Sequence, residues 1–472
     1  MDRERTDRDL AHAAAGIREA ISHVRPPHAR HTRVPHHHDN HMEVRWHEVL
    51  EEGDVLAVHA RVADKSSIIC RAGLMLLAGG TGSWRVRDCM NKIAEMLGVT
   101  CTASVSLTSI ECTCIDGRDS FSEVVSLTTT GVNTERIWYM ERFTRAVQRY
   151  GRTFTVRQFH DLMDGIERKR GNYAPWAVGL ASAAACASFV FLLGGGPIEM
   201  GCAFVGAGLG NLIRRIMLDR RLTHFACVGV SVAAACLAYL GCLRLLSLFI
   251  PGALEHEAGY IGAMLFVIPG FPLITSGLDL AKLDLRSGIE RAVYAITVIV
   301  VATLIAWLVA STVQLYPDEF DPLGLPSTAV LALRLVASFI GVFGFSVMFN
   351  SPVRLAAAAG GAGALANTLR LELVDFAGMS PEAAALVGAA CAGLIASAIA
   401  SRLRFPRISL TVPSIVIMVP GLYMYRAVYY MGVFAVADAM EWAIRAVMIV
   451  LFLPMGLAIA RILTDPEWRH CS

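Results

Sequence analysis

The spacing of apolar residues divides the chain into two regimes. From about residue 174 onward, long apolar runs alternate with short polar or turn-rich joints, and 171–198 and 292–317 hold no charged residue at all. Runs of roughly 18 or more apolar residues are long enough to cross a bilayer as helices. Ten such spans are expected, at 174–193, 198–217, 223–246, 258–279, 289–314, 328–349, 352–371, 382–400, 409–430 and 437–462. Between about 65 and 170 the periods are shorter and mixed. SIICRAGLMLLAGG and WRVRDCMNKIAEML carry helical spacing. CTASVSL alternates strictly, with Cys101, Ala103, Val105 and Leu107 on one face and Thr102, Ser104 and Ser106 on the other, as a half-buried strand does. The alternation continues through Ile110, Cys112 and Cys114 to a turn at Asp116-Gly117, and FSEVVSLTT supplies a third strand. Asn133 or Thr134 caps a helix that runs to Tyr150, and Thr155-x-x-Gln158 has the form of a capping box opening one more.

Composition sharpens this picture. Charged residues make up 17% and hydrophobic residues 55% of the 472, far from the soluble balance of roughly 25% charged. Most of the charge lies in the first 172 residues. The net charge of +2, without a basic patch carrying aromatics, argues against nucleic-acid binding. The twelve cysteines are scattered through apolar segments and the N-terminal region as small hydrophobes do. Cys112-x-Cys114 lacks a second matching pair, which argues against zinc, and no metal or cofactor is expected. MDRERTDRDL, with no apolar stretch behind it, is no cleavable signal, so the N-terminus is expected in the cytoplasm. HARHTRVPHHHDNH (28–41) is read as part of a disordered tail rather than a selective metal site. Arg and Lys sort the joints. Arg214, Arg215, Arg220, Arg221, Lys282, Arg286, Arg354, Arg402, Arg404, Arg407, Arg461 and Arg469 fall on one side, and only Arg244, Arg334 and Arg370 run against the trend. By the positive-inside rule, an even number of spans leaves both termini in the cytoplasm. The expected divisions are a tail over 1–64, a cytoplasmic α/β domain over 65–172, and five-helix membrane units over 173–316 and 317–472.

The two membrane units repeat one another. FVGAGLGNLIRR (204–215) resembles AAGGAGALANTLR (358–370), VIPGFPL (267–273) resembles MVPGLYM (418–424), and DLRSGIERAVYAI (284–296) resembles DAMEWAIRAVMIV (438–450). The last match sets Asp284 opposite Asp438 and Arg291 opposite Arg445. Because five is odd, the second unit must be inverted in the membrane, an arrangement typical of secondary transporters that bind substrate between their repeats. Pro269, Gly270 and Pro272 interrupt the fourth span; Pro413, Pro420 and Gly421 interrupt the ninth. Proline there frees backbone groups that only protein or a polar cavity can satisfy. The freed N–H and C=O groups suit a carboxylate and an ammonium, and an amino acid has both. Charges at membrane depth are costly, on the order of 2.5 to 3.5 kcal/mol, so they pair or face water. Asp279, Asp284, Arg291, Asp438, Glu441, Arg445 and Arg426 are the candidates, with Asn211 and Asn367 at matching places in the repeat. The fold class expected is an α-helical polytopic membrane protein of about ten transmembrane helices in two inverted five-helix repeats, behind a small α/β domain.

LLAGGTGSWRVRDCMNKIAEMLGV (76–99), the Ser/Thr-rich strand with SIECT, and IPGFPLITSGLDLAKLDLRSGIERA (268–292) resemble the threonine/serine exporter family. The resemblance covers roughly residues 65–462 and is more specific in the first half. It implies a multi-pass protein of the inner or plasma membrane that exports threonine and serine, driven by the proton motive force. Its partners are then the bilayer, the two hydroxy amino acids and protons, with a homo-oligomer left open. No binding residues carry over from the family. On the physical reading, Thr275, Ser276 or Ser414 bonds the substrate hydroxyl, a broken-helix N-terminus or Arg445 takes the carboxylate, and Asp284 or Asp438 exchanges protons. Asp279 and Arg291 stand beside that path. Two other classes compete: a membrane-anchored hydrolase using His59 or His160 as base, and a metabolite-gated channel or sensor.

Overall fold

The computed structural model describes residues 44–469 except 129 and 404, so the His-rich tract at 28–41 and Arg404 lie outside the described residues. The chain divides into two compact units between Gly171 and Asn172.

In the first unit, three strands form an antiparallel sheet in chain order: β1 (Thr100–Val105), β2 (Ser109–Asp116) and β3 (Asp119–Ser126). Alternation with a period of two sets the register, and Cys101 faces Cys114 while Cys112 faces Glu123. Gly117, at φ 63°, makes the turn between β2 and β3. The helices Val62–Ala78 and Ser83–Leu97 cover one face of the sheet. The local signals act as their chemistry requires. The Asn133 side chain accepts from the Arg136 N–H at 3.0 Å, and Thr155 and Gln158 close a reciprocal capping box at the start of Val156–Glu167. Residues just ahead of the first long helix also pack here, with Trp46 stacked on His160 and Leu56 bridged to Thr155.

The second unit is all helical. Among the described residues six helices are long and apolar enough to cross a membrane, or up to eight if each of two bent pairs is one span. The bent pairs, Glu257–Val267 with Gly270–Ala281 and Arg407–Val416 with Gly421–Gly432, turn by 58° and 48° at the two Pro-Gly sites. The ten expected spans thus become six to eight candidates. The remaining two, Pro197–Asp219 and Val353–Asp375, are 23 residues each but carry Glu199, Asn211 and Arg214, and Asn367, Arg370 and Glu372. Much of that polarity is turned into the bundle, Glu199, Asn211 and Asn367 being buried.

Packing recurs in pairs. Pro197–Asp219 lies between Pro175–Leu192 and His224–Ser247, as Val353–Asp375 lies between Ser327–Met348 and Pro381–Leu403. Gly270–Ala281 packs on Val436–Thr464, and Gly421–Gly432 packs on Leu285–Val313. The two half-helices after the breaks are 12 residues each and the helices that follow are 29 each. The two prolines hold near-identical conformations, φ −81° with ψ 61° and 53°. Leu283 and Phe434 both turn left-handed, at φ 60° and 62°. These landmarks fix a common offset and correct the alignment drawn from charge. Ala435, not Asp438, is the counterpart of Asp284, and Arg291 corresponds to Trp442. Matching acids and bases misplaced that register by three residues because identical charges outweighed helix starts.

Candidate functional site

The two breaks cross each other. A Cβ on Gly270 would sit 3.3 Å from Val416 and Val419, and one on Gly421 would sit 2.6 Å from Leu265. Tyr260 and Tyr425, both fully buried, join hydroxyls across the crossing at 2.6 Å. Only about 10 Å³ of space remains between the breaks, enclosed by Ile268, Gly270, Val416, Val419 and Gly421.

Next to this seal lies a cavity of about 360 Å³, within the range of small-molecule sites. Pro420, Gly421, Leu422 and Tyr423 form one wall, and Asn367, Arg370, Arg426, Trp442 and Glu319 bring polar groups to it. The wall is the first turn of a half-helix, where backbone N–H groups lack intrahelical partners and the dipole is positive. Arg426 is 6% exposed; it lies 4.7 Å over the Trp442 ring and donates to the Asp318 carbonyl at 3.1 Å. Arg370 donates weakly to Asn367 Oδ1 at 3.4 Å, while Asn367 donates to Ser338 Oγ at 2.9 Å. The Nε atoms of both arginines are buried without a hydrogen-bond partner. Two guanidiniums beside a helix start have the chemistry that suits a carboxylate. An acidic rim of Glu199, Glu255, Glu257, Asp318, Glu319 and Asp321 surrounds a smaller cavity of about 130 Å³ that shares Glu319 and Phe320 with the first.

The other expected residues fall into three groups. Asp279 and Arg291 meet in the interior, Nε to Oδ2 at 3.3 Å, and Ser287 Oγ donates to Asp279 at 2.9 Å. Asp284 stands at the N-cap of Leu285–Val313, and Asp438 is exposed. Arg445 is paired with Glu441 at 2.8 Å, and its guanidinium lies 5.9 Å from the Trp442 ring without itself lining the cavity. Thr275 and Ser414 turn their hydroxyls to their own helices, onto the Phe271 and Thr411 carbonyls at 3.0 and 2.7 Å, and Ser276 is buried. Pro269, Gly270 and Pro272 form the opposite break, and Asn211, equivalent to Asn367, is buried in Pro197–Asp219. Reading the sequence missed Trp442, Glu319 and the tyrosine pair. Arg370 did signal itself, as an exception to the positive-inside pattern. Arg334, another exception, bridges to Glu372 at 2.8 Å and to Asp375.

Of the two histidines weighed as a hydrolytic base, His59 is exposed and His160 is ill placed for that role. His160 is fully buried with both ring nitrogens engaged, Nε2 with Ser67 Oγ at 3.1 Å and Nδ1 with Arg71 Nη1 at 3.2 Å. A guanidinium on Nδ1 opposes the imidazolium that a general base must form.

Comparisons with known proteins match both halves of the chain. Residues 67–313 fit the family model described as "Putative threonine/serine exporter", and residues 334–463 fit the one described as "Threonine/Serine exporter, ThrE". The chain is similar to a "Probable threonine/serine exporter" of Mycobacterium tuberculosis, 24% identical over 413 residues, which cover 84% of this chain and 75% of that one. It is also similar to a "Probable succinate transporter subunit YjjP" of Escherichia coli, 26% identical over 252 residues, covering 52% and 92%. No solved structure matches.

Proposed function

The chain belongs to the threonine/serine exporter family, with both family halves in one polypeptide, and from that premise we propose that it exports small hydroxy amino acids, threonine and serine, in exchange for protons and driven by the proton motive force. The observation that carries this reading is the cavity at the Pro420–Gly421 break. Its helix start and the Arg370 and Arg426 guanidiniums take the substrate carboxylate, and Glu319 and Asp318 at the mouth attract the ammonium. Ten spans, counting each bent pair and the two polar helices, form two inverted five-helix repeats with both termini in the cytoplasm. The cavity then opens on the side whose joints lack Lys and Arg. The acid best suited to exchange a proton is Asp279: it alone of the three candidates is buried, so its charge becomes costly and protonation favourable whenever the Arg291 pair opens.

A second reading is favoured by one feature. Two arginines on one wall also suit a small dicarboxylate, the chemistry named for the Escherichia coli relative.

Labelled threonine in proteoliposomes tests both. Uptake driven by a pH jump is expected to saturate and to be competed by serine and not by leucine. Arg370→Gln and Arg426→Gln are each expected to raise KM about tenfold or more, the loss of one charged hydrogen bond. Asp279→Asn is expected to retain threonine counterflow and lose its response to the pH gradient. Succinate competing better than serine would transfer the reading to a dicarboxylate; unchanged KM in both arginine variants would remove the cavity from the transport path.

A further inference from the structure

Transport leaves one cluster of reactive groups unused, and it lies in the first unit. Cys101 on β1 and Cys112 and Cys114 on β2 share the face of the sheet that is turned onto the helix Val62–Ala78. The pleat aligns Cys112 with Cys114, and the register brings Cys101 opposite Cys114. Their sulfurs converge: Cys101 to Cys112 is 3.4 Å, Cys112 to Cys114 is 3.8 Å, and all three lie within 4.8 Å of one another. Cys112 and Cys114 are buried, and Cys101 is half-buried.

Two further donors adjoin the trio. Cys70, fully buried on Val62–Ala78, meets the Ser66 hydroxyl at 3.9 Å and has Cys112 and Glu123 as neighbours. Glu123 stands opposite Cys112 on β3 and accepts from the Ser66 hydroxyl. Among the described residues its hydrogen-bond partner is thus a hydroxyl, not a cation. An acid set among four thiols at a sheet–helix contact lacks the positive charge that such a site calls for.

We propose that Cys101, Cys112 and Cys114 bind a zinc(II) ion, with Cys70 or Glu123 as the fourth donor. Thiolates about 2.3 Å from zinc at tetrahedral angles are roughly 3.8 Å apart, close to the separations already present. Each ligating thiol gives up its proton to solvent, and no group changes oxidation state. Ligands from β1, β2 and either the covering helix or β3 would tie the hairpin to its neighbour. Spacing along the chain hid the site, because Cys101 joins Cys112 and Cys114 only through strand register.

Cobalt(II) replacing zinc tests this in the reduced full-length chain. Thiolate ligation gives a near-ultraviolet sulfur-to-cobalt charge-transfer band, which histidines of the 28–41 tract do not give. The wild type is expected to develop the band to one equivalent and to lose it when zinc is added. Cys112→Ser is expected to abolish the band and Cys101→Ser to weaken cobalt binding at least tenfold. Cys89→Ser is expected to leave both unchanged, since that thiol faces Thr144 at 2.8 Å instead. Because Cys112 is buried and its variant is exposed to misfolding, the half-buried Cys101 decides the matter. A band undiminished in Cys101→Ser, or none in wild-type chain whose thiols are counted as fully reduced, would overturn the proposal.

Discussion

His160 shows how a single buried group makes the first unit sensitive to pH. Burial holds its imidazole down to about 3, and the neighbouring Arg71 and His47 push in the same direction. The unfolded chain, with a histidine near 6.5, therefore takes up a proton that the folded unit refuses. Stability is complete above about pH 6.5 and falls as the pH drops toward the folded value, by about 2 kcal/mol between 6.5 and 5. Hydrogen exchange of the full-length chain checks this. Protection of the Val156–Glu167 amides is expected to decline from pH 7 to 5 in the wild type. His160→Gln is expected to start lower and to show a flatter slope; equal slopes would remove His160 as the cause. The sequence marked His160 as one of two histidines available to a base. Its partners, Ser67 and Arg71, come from another helix, and no local pattern along the chain announces them.

At the scale of elements, the second unit depends on close contact between helices, made possible by small residues. Gly277 shows this most sharply: a Cβ there would lie 2.4 Å from Pro454 Cγ and 2.6 Å from its Cβ. A proline ring cannot swing away as a flexible side chain does, so Gly270–Ala281 and Val436–Thr464 would have to part. Gly277→Ala is expected to destabilise the chain by about 1–3 kcal/mol, lowering Tm in detergent. Gly361→Ala, with nothing within 4 Å of its added methyl, is expected to be neutral or stabilising. If the two variants melted alike, contact at Pro454 would not be limiting. The elements themselves were largely legible. Alternation gave β1 and β2, the run after the Asp116-Gly117 turn gave β3, Thr155 and Gln158 gave their capping box, and both Pro-Gly pairs gave the breaks. Such signals act within a few residues of chain. The offset between halves was not legible to the residue, because it depends on where each helix starts after its turn.

For the whole molecule, packing recurs in pairs between the halves, and orientation is the property to measure. A cysteine at Glu319, beside the cavity, is expected to react with an impermeant maleimide in intact cells. One at Arg402, in an Arg-rich joint, is expected to react only after permeabilisation. The wild type gives the background from its native thiols. Labelling of both from one side would rule out the ten-span arrangement proposed above.

The sequence by itself determined that the chain is membrane-embedded, where its helices break, which family it resembles and how the small sheet alternates. Each of these follows from hydropathy, proline geometry or a period of two or 3.6 residues, all read between neighbours in the chain. Tertiary structure alone decided which charges meet. It set Arg370 beside Arg426 at one cavity, closed Asp279 on Arg291 and drew Cys101 to Cys112. Burial is unfavourable for a charge or a thiolate unless a partner arrives from another element, and only the packing of helices and strands brings that partner within reach.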